Sequence, residues 1–335
     1  QLSLERMLCG GIFDHLKGGV HRYSTDEGWV VPHFEKMLYD QAGILRLLSK
    51  AVHMMPTPLV FEALESTLAY LENEMQSEAG FFFSAQDADS EGEEGLYFTF
   101  TQDEFLAAFK EKQWGPEQQK LLQWFGITEA GNFDQGLNVL QLSYEHRNTV
   151  QIEGNWKTWL RAKDILLARR KERIPPATDN KGVCSGNMQL LSALCDVVQF
   201  APAAKETAVN MIEKLKKAIP NVFGAPGELA HATSKDQRTQ YAEDLCFYLE
   251  AHLRSYEVFG EEADLDQAFK ACTELINFFI VNDELMTRSK ISQADYPNRP
   301  LEAFDASFQS PLGTVVYAVQ KLALINLEFD TSAFE

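Results

Sequence analysis

Apolar side chains recur every three or four residues along most of this chain, which is the spacing of one face of an α-helix. The first such segment covers residues 2–17 and ends at Gly18 and Gly19, which interrupt a helix readily. Pro32 is expected to open the second helix, because its missing N–H would have no partner in a first helical turn. The same spacing predicts further helices at 59–75, 156–171, 186–199, 203–218, 240–258, 263–281 and 311–327.

The pattern changes in the second quarter of the chain, where short apolar runs surround two small helices. Strands are predicted at 81–83, 96–100 and 137–140, and again near 228–233 and 285–292. No Pro/Gly/Ser-rich linker interrupts the sequence, so we predict one domain over 1–335 with a strand-containing insertion at about 79–150. Helices that arrive in pairs predict a mainly α fold, an α/α toroid of helical hairpins, with a stacked helical solenoid as the alternative.

Composition excludes several classes of partner. A chain of 335 residues with 45% hydrophobic content can bury a large core, and a formal net charge of −19 opposes binding to nucleic acid or to an anionic membrane. No apolar run approaches the length of about 18 residues that a membrane span needs. The five cysteines are widely spaced and odd in number, so we expect buried free thiols in a reducing compartment, the cytoplasm. No zinc or nucleotide motif is present, and we expect neither a metal nor an organic cofactor.

A polar segment at residues 19–41 is the first candidate site. If Pro32 starts a helix, His33 and Glu35 fall in its first turn, where the positive end of the helix dipole favours a neutral imidazole and an ionised carboxylate. Both are candidate catalytic bases. The alternative is that they only cap the helix.

The same segment supplies candidate ligand contacts. On a helix, Lys36 and Asp40 would continue a polar stripe from His33, with a surface ion pair between the two as the alternative. Aromatic rings for stacking on a sugar and hydrogen-bond donors to its hydroxyl groups would come from the loop and the helix. These substrate-binding candidates are His21, Arg22, Tyr23, Trp29, Lys36, Tyr39 and Asp40.

A second cluster of carboxylates lies at residues 83–95. Asp87 and Asp89 match the opening of a calcium loop, but Phe98 occupies the twelfth position, where a bidentate Glu is required. We therefore predict that Asp87 and Asp89 act as catalytic acids or hydrogen-bond sugar hydroxyls. The alternative is a turn in which the aspartates bond to their own backbone.

Three segments resemble one known family. The runs GGIFDHLKGGVHRYSTDEGWVVPHFEKMLYDQ, FFFSAQDADSEGEEGLYFTFTQDEF and FGITEAGNFDQGLNVL are similar to the spermatogenesis-associated protein 20 family, also called the YyaL-type thioredoxin-domain proteins. The resemblance implies an (α/α)6 toroid related to six-hairpin glycosidases and N-acylglucosamine 2-epimerases. It also implies a thioredoxin-like domain as a partner module.

The resemblance is weaker after about residue 150. Asn187 stands where the family has an asparagine, which makes it a further substrate-binding candidate, but Gly186 replaces the family's tryptophan. Ser310 and Pro311 also begin a segment that departs from the family pattern. Half of the predicted pocket is thereby altered.

Two functions follow. The first is a carbohydrate-active enzyme, an epimerase, isomerase or glycosidase-like hydrolase, that binds a small sugar-like ligand between His33 or Glu35 and the Asp87/Asp89 loop. The second is a catalytically inactive toroid that serves as a ligand- or protein-binding scaffold for a thioredoxin-like module. The second predicts that the carboxylates pair with Arg22 and Lys36.

Overall fold

A computed structural model describes residues 2–110, 114–115, 117–233, 240–288, 299–301 and 303–326. The described residues form twelve α-helices and nine two-residue strands, and the predicted mainly α class with short strand insertions is confirmed. The helices are α1 Leu2–Cys9, α2 Leu38–Met54, α3 Pro58–Tyr70, α4 Gln102–Lys110, α5 Glu117–Phe125, α6 Arg147–Val150, α7 Glu153–Arg170, α8 Cys184–Phe200, α9 Lys205–Val222, α10 Ala242–Phe259, α11 Glu262–Phe279 and α12 Pro311–Ile325.

The strands are β1 Tyr23–Ser24, β2 Pro32–His33, β3 Lys36–Met37, β4 Ala85–Gln86, β5 Asp89–Ser90, β6 Glu93–Glu94, β7 Thr178–Asp179, β8 Ile280–Val281 and β9 Glu284–Leu285. All pairings between them are antiparallel. They form the pairs β1–β2, β5–β6 and β8–β9 and the three-stranded sheet β3–β4–β7.

The chain divides into two compact units. Unit 1 comprises Gln1–Met75 and Ala85–Asp179, and unit 2 comprises Gln76–Ser84 and Asn180–Glu335. The organisation as one domain stays a prediction. No helix among the described residues is long and apolar enough to cross a membrane.

Unit 2 consists of helical hairpins with inner and outer members. The inner helices α8 and α10 are buried on nearly all sides and pack against each other, as expected for helices without a polar face. Each packs against the next helix in the chain, α9 or α11, which buries one face only. The predicted pairing of helices into hairpins is therefore present within this unit.

The start of the second helix was predicted wrongly. Pro32 lies in β2 rather than in a first helical turn, and α2 begins six residues later at Leu38. The backbone of residues 32–37 is extended because it pairs with β1 and then with β4. The first helix is also shorter than predicted, since it ends at Cys9.

Several predicted strands are single bridges instead. Residues 81–83, 96–100, 137–140 and 228–233 contribute only the bridges Gln76↔Phe82, Phe100↔Asn138 and Val183↔Ala232. The strand predicted at 285–292 is represented by β9, and its part beyond residue 288 lies outside the described residues. The two small helices are confirmed as α4 and α5.

A buried charge network joins α10 and α11 in unit 2. Asp264 accepts hydrogen bonds from His252 Nδ1 at 2.8 Å, from Ser255 Oγ at 2.7 Å and from Lys216 Nζ at 2.6 Å. Burial opposes the charged carboxylate, but these three hydrogen bonds outweigh it and lower the pKa of Asp264 to about 2. The network therefore stabilises the ionised form.

We expect Asp264→Asn to lower the free energy of unfolding by about 2 kcal/mol near neutral pH. Because the folded pKa is depressed, the contribution is present above about pH 4 and is lost as the pH falls toward 2. Urea unfolding of both proteins across this range measures it. Asp266→Asn is the matched control, since Asp266 is exposed on the same helix. Equal losses in the two variants would contradict the prediction.

Candidate functional site

The short sheet β3–β4–β7 joins the two polar segments of unit 1. Lys36 in the first segment pairs with Gln86 at the start of the second, and Met37 pairs with Ala85. The β5–β6 hairpin then continues from β4. Two motifs that lie about fifty residues apart in the sequence are thus neighbours.

Asp26 organises the loop between β1 and β2. Its carboxylate accepts the backbone N–H groups of Gly28 at 2.6 Å, Val30 at 3.0 Å and Val31 at 2.6 Å. Such local bonds are the usual way in which an aspartate fixes a turn. The loop therefore closes on itself and aligns β1 with β2.

His33 lies between two carboxylates. Its Nδ1 is 2.7 Å from Glu94 Oε1, and its Nε2 is 3.6 Å from Glu35 Oε2. The ring stacks on Tyr23, its β-ladder partner, with centroids 5.1 Å apart. The imidazole is held on both edges and on one face.

Arg22 joins Glu35 to the beginning of α2. The guanidinium donates to Glu35 Oε2 at 3.0 Å and also hydrogen-bonds to the Tyr39 side chain. Asp40 follows in the first turn of α2, within electrostatic range of both Arg22 and Glu35. We call Arg22, Tyr23, His33, Glu35, Tyr39, Asp40 and Glu94 the polar cluster.

Asp40 has the most perturbed carboxyl group of this cluster. Burial raises its pKa to about 7; the charge of Glu35 adds to this effect and that of Arg22 opposes it. Its Oδ2 is buried, and no described residue donates a hydrogen bond to it. A carboxyl group that titrates near neutral pH is suited to both donating and accepting a proton.

The β5–β6 hairpin brings Glu94 to His33. Gly95, at φ 75°, lies directly on the Phe34 ring, where an added Cβ would be only 2.5 Å from a ring carbon. Phe34 itself belongs to the hydrophobic cluster that holds the hairpin, together with Ala88 and Phe98. A glycine at position 95 thus permits the close approach.

The two predicted catalytic aspartates of this hairpin differ in position. Asp89 is exposed and lies opposite Glu94 in the β5–β6 register, beside the polar cluster. Asp87 is exposed and accepts the N–H groups of Ala88 at 2.7 Å and of Asp89 at 3.4 Å. Asp87 therefore makes the local turn contacts that were the alternative prediction.

Lys36 and His21 lie in the interior of unit 1. Lys36 Nζ donates to Asp14 Oδ2 at 2.7 Å and to the Gly18 carbonyl at 2.9 Å, and its side chain is fully buried. It shares neither a stripe with His33 nor an ion pair with Asp40, because strand residues alternate in direction. Burial also lowers the pKa of His21 to about 3, and its Nδ1 is 2.8 Å from the Phe34 carbonyl.

Trp29 and Asn187 are not members of the polar cluster. Trp29 is half-buried, and its backbone has a φ of 63°. Its carbonyl oxygen accepts a hydrogen bond from the N–H of Gly11 at 2.8 Å. Asn187, in unit 2, is fully buried and accepts from the N–H of Phe82 at 2.8 Å. Its Nδ2 donates to the carbonyls of Phe82 and Val183. The Asn187 side-chain amide is thus hydrogen-bonded to backbone groups, as buried polar groups usually are.

Sequence reasoning missed Glu94, Asp14 and Arg170. Glu94 had the signal of lying in the acidic hairpin, but nothing local distinguished it from Glu93. Asp14 and Arg170 are 156 positions apart and hydrogen-bond at 2.8 and 3.0 Å. No periodicity encodes such a distant pair.

A further titratable pair in unit 2 was not predicted. His231 Nδ1 lies 2.8 Å from Asp244 Oδ2, and the other oxygen of Asp244 accepts the N–H of Ser185 at 2.9 Å. Burial raises the pKa of Asp244 to about 6, although His231 opposes the shift. Among the described residues, no group of His, Cys, Asp and Glu has the arrangement of a metal site.

Comparisons with known proteins place the chain beside one set of relatives. It is 30% identical over 305 residues to human spermatogenesis-associated protein 20 and 32% identical over 307 residues to the mouse protein, in each case over 80% of the chain. The chain spans 38% of the length of each of these curated relatives. The resemblance found in the motifs is thereby confirmed. No protein-family model matches the sequence.

Solved structures with a similar fold include three carbohydrate-related proteins. A polysaccharide lyase is 12% identical with a TM-score of 0.46, and the match covers 88% of this chain and 63% of that one. A D-mannose isomerase is 12% identical with a TM-score of 0.41, and the match covers 97% of this chain and 81% of that one. A cellobiose 2-epimerase from Bacillus thermoamylovorans B4167 is 11% identical with a TM-score of 0.38, and the match covers 95% of this chain and 79% of that one.

Proposed function

We propose that the polar cluster binds a sugar-like ligand and performs acid–base chemistry on it, as part of carbohydrate metabolism. One observation supports this above the others: Asp40, with a pKa raised to about 7 and a buried Oδ2 to which no described residue donates a hydrogen bond, lies beside the Arg22–Glu35 pair. Strongly perturbed carboxyl groups of this kind are concentrated at functional sites.

The roles within the cluster follow from its contacts. Asp40 is the proton donor and acceptor, and Glu35 is the second carboxylate, held by Arg22. The Tyr23–His33 stack offers an aromatic surface to one face of a sugar ring. Asp89 accepts hydrogen bonds from ligand hydroxyls at the hairpin edge.

Two reactions fit this arrangement. In an epimerase or isomerase, a base removes a proton from a substrate carbon and an acid returns one. In a hydrolase, an acid protonates the glycosidic oxygen, the bond from that oxygen to the anomeric carbon breaks, and water adds to the anomeric carbon. Incubation of a bound sugar in heavy water separates them. Deuterium incorporation at carbon, followed by NMR, supports the first reaction, and release of a reducing end from an oligosaccharide supports the second.

The first test is ligand binding by thermal shift with mono-, amino- and oligosaccharides. A sugar at about a hundred times its dissociation constant should add roughly 2.7 kcal/mol to the stability of the wild type. Asp40→Asn should lose that gain, because an NH2 group, which only donates, replaces a carboxyl oxygen that can accept a hydrogen bond from a ligand hydroxyl. Asp87→Asn is the control, since Asp87 is exposed and bonds to its own backbone.

The outcomes are distinct. A stabilising sugar whose effect survives Asp40→Asn would exclude Asp40 from the site. A panel without any stabilising sugar, with both variants folded, would contradict the sugar-binding proposal itself.

The scaffold function remains the second candidate because of one observation. Glu35 pairs with Arg22, as an inactive site was predicted to show, although Lys36 pairs with Asp14 rather than with a site carboxylate. Titration calorimetry against a separately produced thioredoxin-like domain tests it. Binding abolished by Arg22→Ala, in a chain that binds no sugar, would favour the scaffold.

The proposed location is the cytoplasm. All five cysteines are buried free thiols, the state that a reducing compartment maintains.

A further inference from the structure

The charges of the polar cluster constrain which sugar it can take. Its carboxyl groups are Glu35, Asp40 and Glu94, with Asp89 opposite Glu94 in the hairpin register. Its single guanidinium belongs to Arg22. Carboxyl groups outnumber the cationic group even within the cluster, before the other acidic residues of the hairpin are counted.

The cations of this segment are already engaged. Arg22 donates to Glu35 Oε2 at 3.0 Å and hydrogen-bonds to Tyr39. Lys36, the other cation of the segment, is fully buried and bound to Asp14. An anionic ligand group that approached Arg22 would lie beside the carboxylate of Glu35.

Two carboxylate oxygens of the cluster are free to accept hydrogen bonds. Glu35 uses Oε2 for Arg22, and Glu94 uses Oε1 for His33 and for the N–H of Phe34. In the part of the chain that the structure describes, Glu35 Oε1 and Glu94 Oε2 receive no hydrogen bond, and both side chains are partly exposed. A ligand that complements them supplies hydroxyl or ammonium donors.

We propose that the polar cluster selects sugars whose substituents donate hydrogen bonds and are neutral or cationic, an amino sugar above all, and rejects sugars that carry a carboxylate or phosphate. This rests on the proposed sugar-binding function and adds the charge class of the ligand. Selection against the wrong ligand comes from like-charge repulsion, and selection for the right one from complementary charge.

The test compares three ligands of the same ring: glucose, glucosamine and glucuronate, by titration calorimetry at about pH 6.5 in low salt, where an amine is protonated. We expect glucosamine to bind about 5- to 10-fold more tightly than glucose, and glucuronate at least about 10-fold more weakly. Half-molar salt should bring the affinities for glucosamine and for glucuronate closer to that for glucose, since screening weakens interactions between exposed charges.

A matched pair of variants locates the effect. Glu94→Gln removes the carboxylate at His33 and should reduce the ratio of glucosamine affinity to glucose affinity to about 2-fold. Glu93→Gln removes the same charge from the adjacent strand residue, which points to the opposite face of the hairpin, and should leave the ratio above 4-fold.

Two failures are distinguishable. If glucuronate binds as tightly as glucosamine, or more tightly, the charge selection is wrong while the sugar-binding function stands. If none of the three sugars, nor any other in the panel, binds the folded wild type, the proposed function is wrong and the selection falls with it.

Discussion

Replacement of Asp14 by asparagine is expected to lower the free energy of unfolding by about 3 to 5 kcal/mol. Asp14 is the shared counter-charge of Lys36, at 2.7 Å, and of Arg170, at 2.8 and 3.0 Å, and all three side chains are buried. The substitution leaves two cations in the interior with no carboxylate. Removal of one partner of a buried ion pair is costly for that reason.

The measurement is urea unfolding near neutral pH. Asp89→Asn is the control, because it removes a carboxylate that is exposed. Lys36→Met provides a second variant that leaves the Asp14–Arg170 pair intact, and we expect it to cost less than Asp14→Asn. A loss below about 1 kcal/mol for Asp14→Asn would show that the triad contributes no more than a surface ion pair.

Acid should weaken the same triad. Burial alone would raise the pKa of Asp14, but Arg170 and Lys36 hold it well below its usual range. The stabilisation is therefore present above about pH 4 and declines at lower pH as the carboxylate is protonated. The wild type should lose this contribution on acidification, and Asp14→Asn has none to lose.

Replacement of Asp40 by asparagine should have the opposite effect and stabilise the protein by about 3 kcal/mol near pH 8. Burial raises the pKa of Asp40 to about 7, so between about pH 4 and 7 the folded protein holds a proton that the unfolded chain releases. Stability consequently falls as the pH rises through this range. The amide of asparagine does not ionise, so the variant does not lose stability in this way as the pH rises.

Urea unfolding of the wild type and of Asp40→Asn at several values from about pH 5 to 8 gives the difference between them. We expect this difference to grow with pH and to level off above about pH 7. Asp87→Asn should follow the wild type throughout. An Asp40→Asn variant less stable than the wild type near pH 8 would contradict the burial argument.

The opposite signs of these two results separate structural charge from functional charge. Asp14 has two cations within hydrogen-bond distance, whereas no described residue donates a hydrogen bond to Asp40 Oδ2. A carboxyl group that costs stability is what a functional site is expected to contain. If both predictions for Asp40 hold, the Asp40→Asn variant is more stable than the wild type and no longer binds the sugar.

Local sequence determined most of the helices and the two polar segments. The apolar spacing predicted the four helices α8 to α11 of unit 2 to within a few residues, because burial of a helix face sets the period of its apolar residues. The composition of residues 19–41 and 83–95 indicated where polar chemistry would lie. A short-range pattern is enough to predict both the helices and the polar segments, since each depends on residues close together in the sequence.

Tertiary structure decided the directions of the side chains and their ionisation. Pairing of residues 32–37 with β1 and β4 replaced the predicted helical turn and sent Lys36 inward to Asp14 while His33 and Glu35 stayed at the surface. Glu94 became a partner of His33 only through the close approach at Gly95. Such contacts depend on residues far apart in sequence, and burial sets the pKa of Asp40, so local periodicity could specify neither.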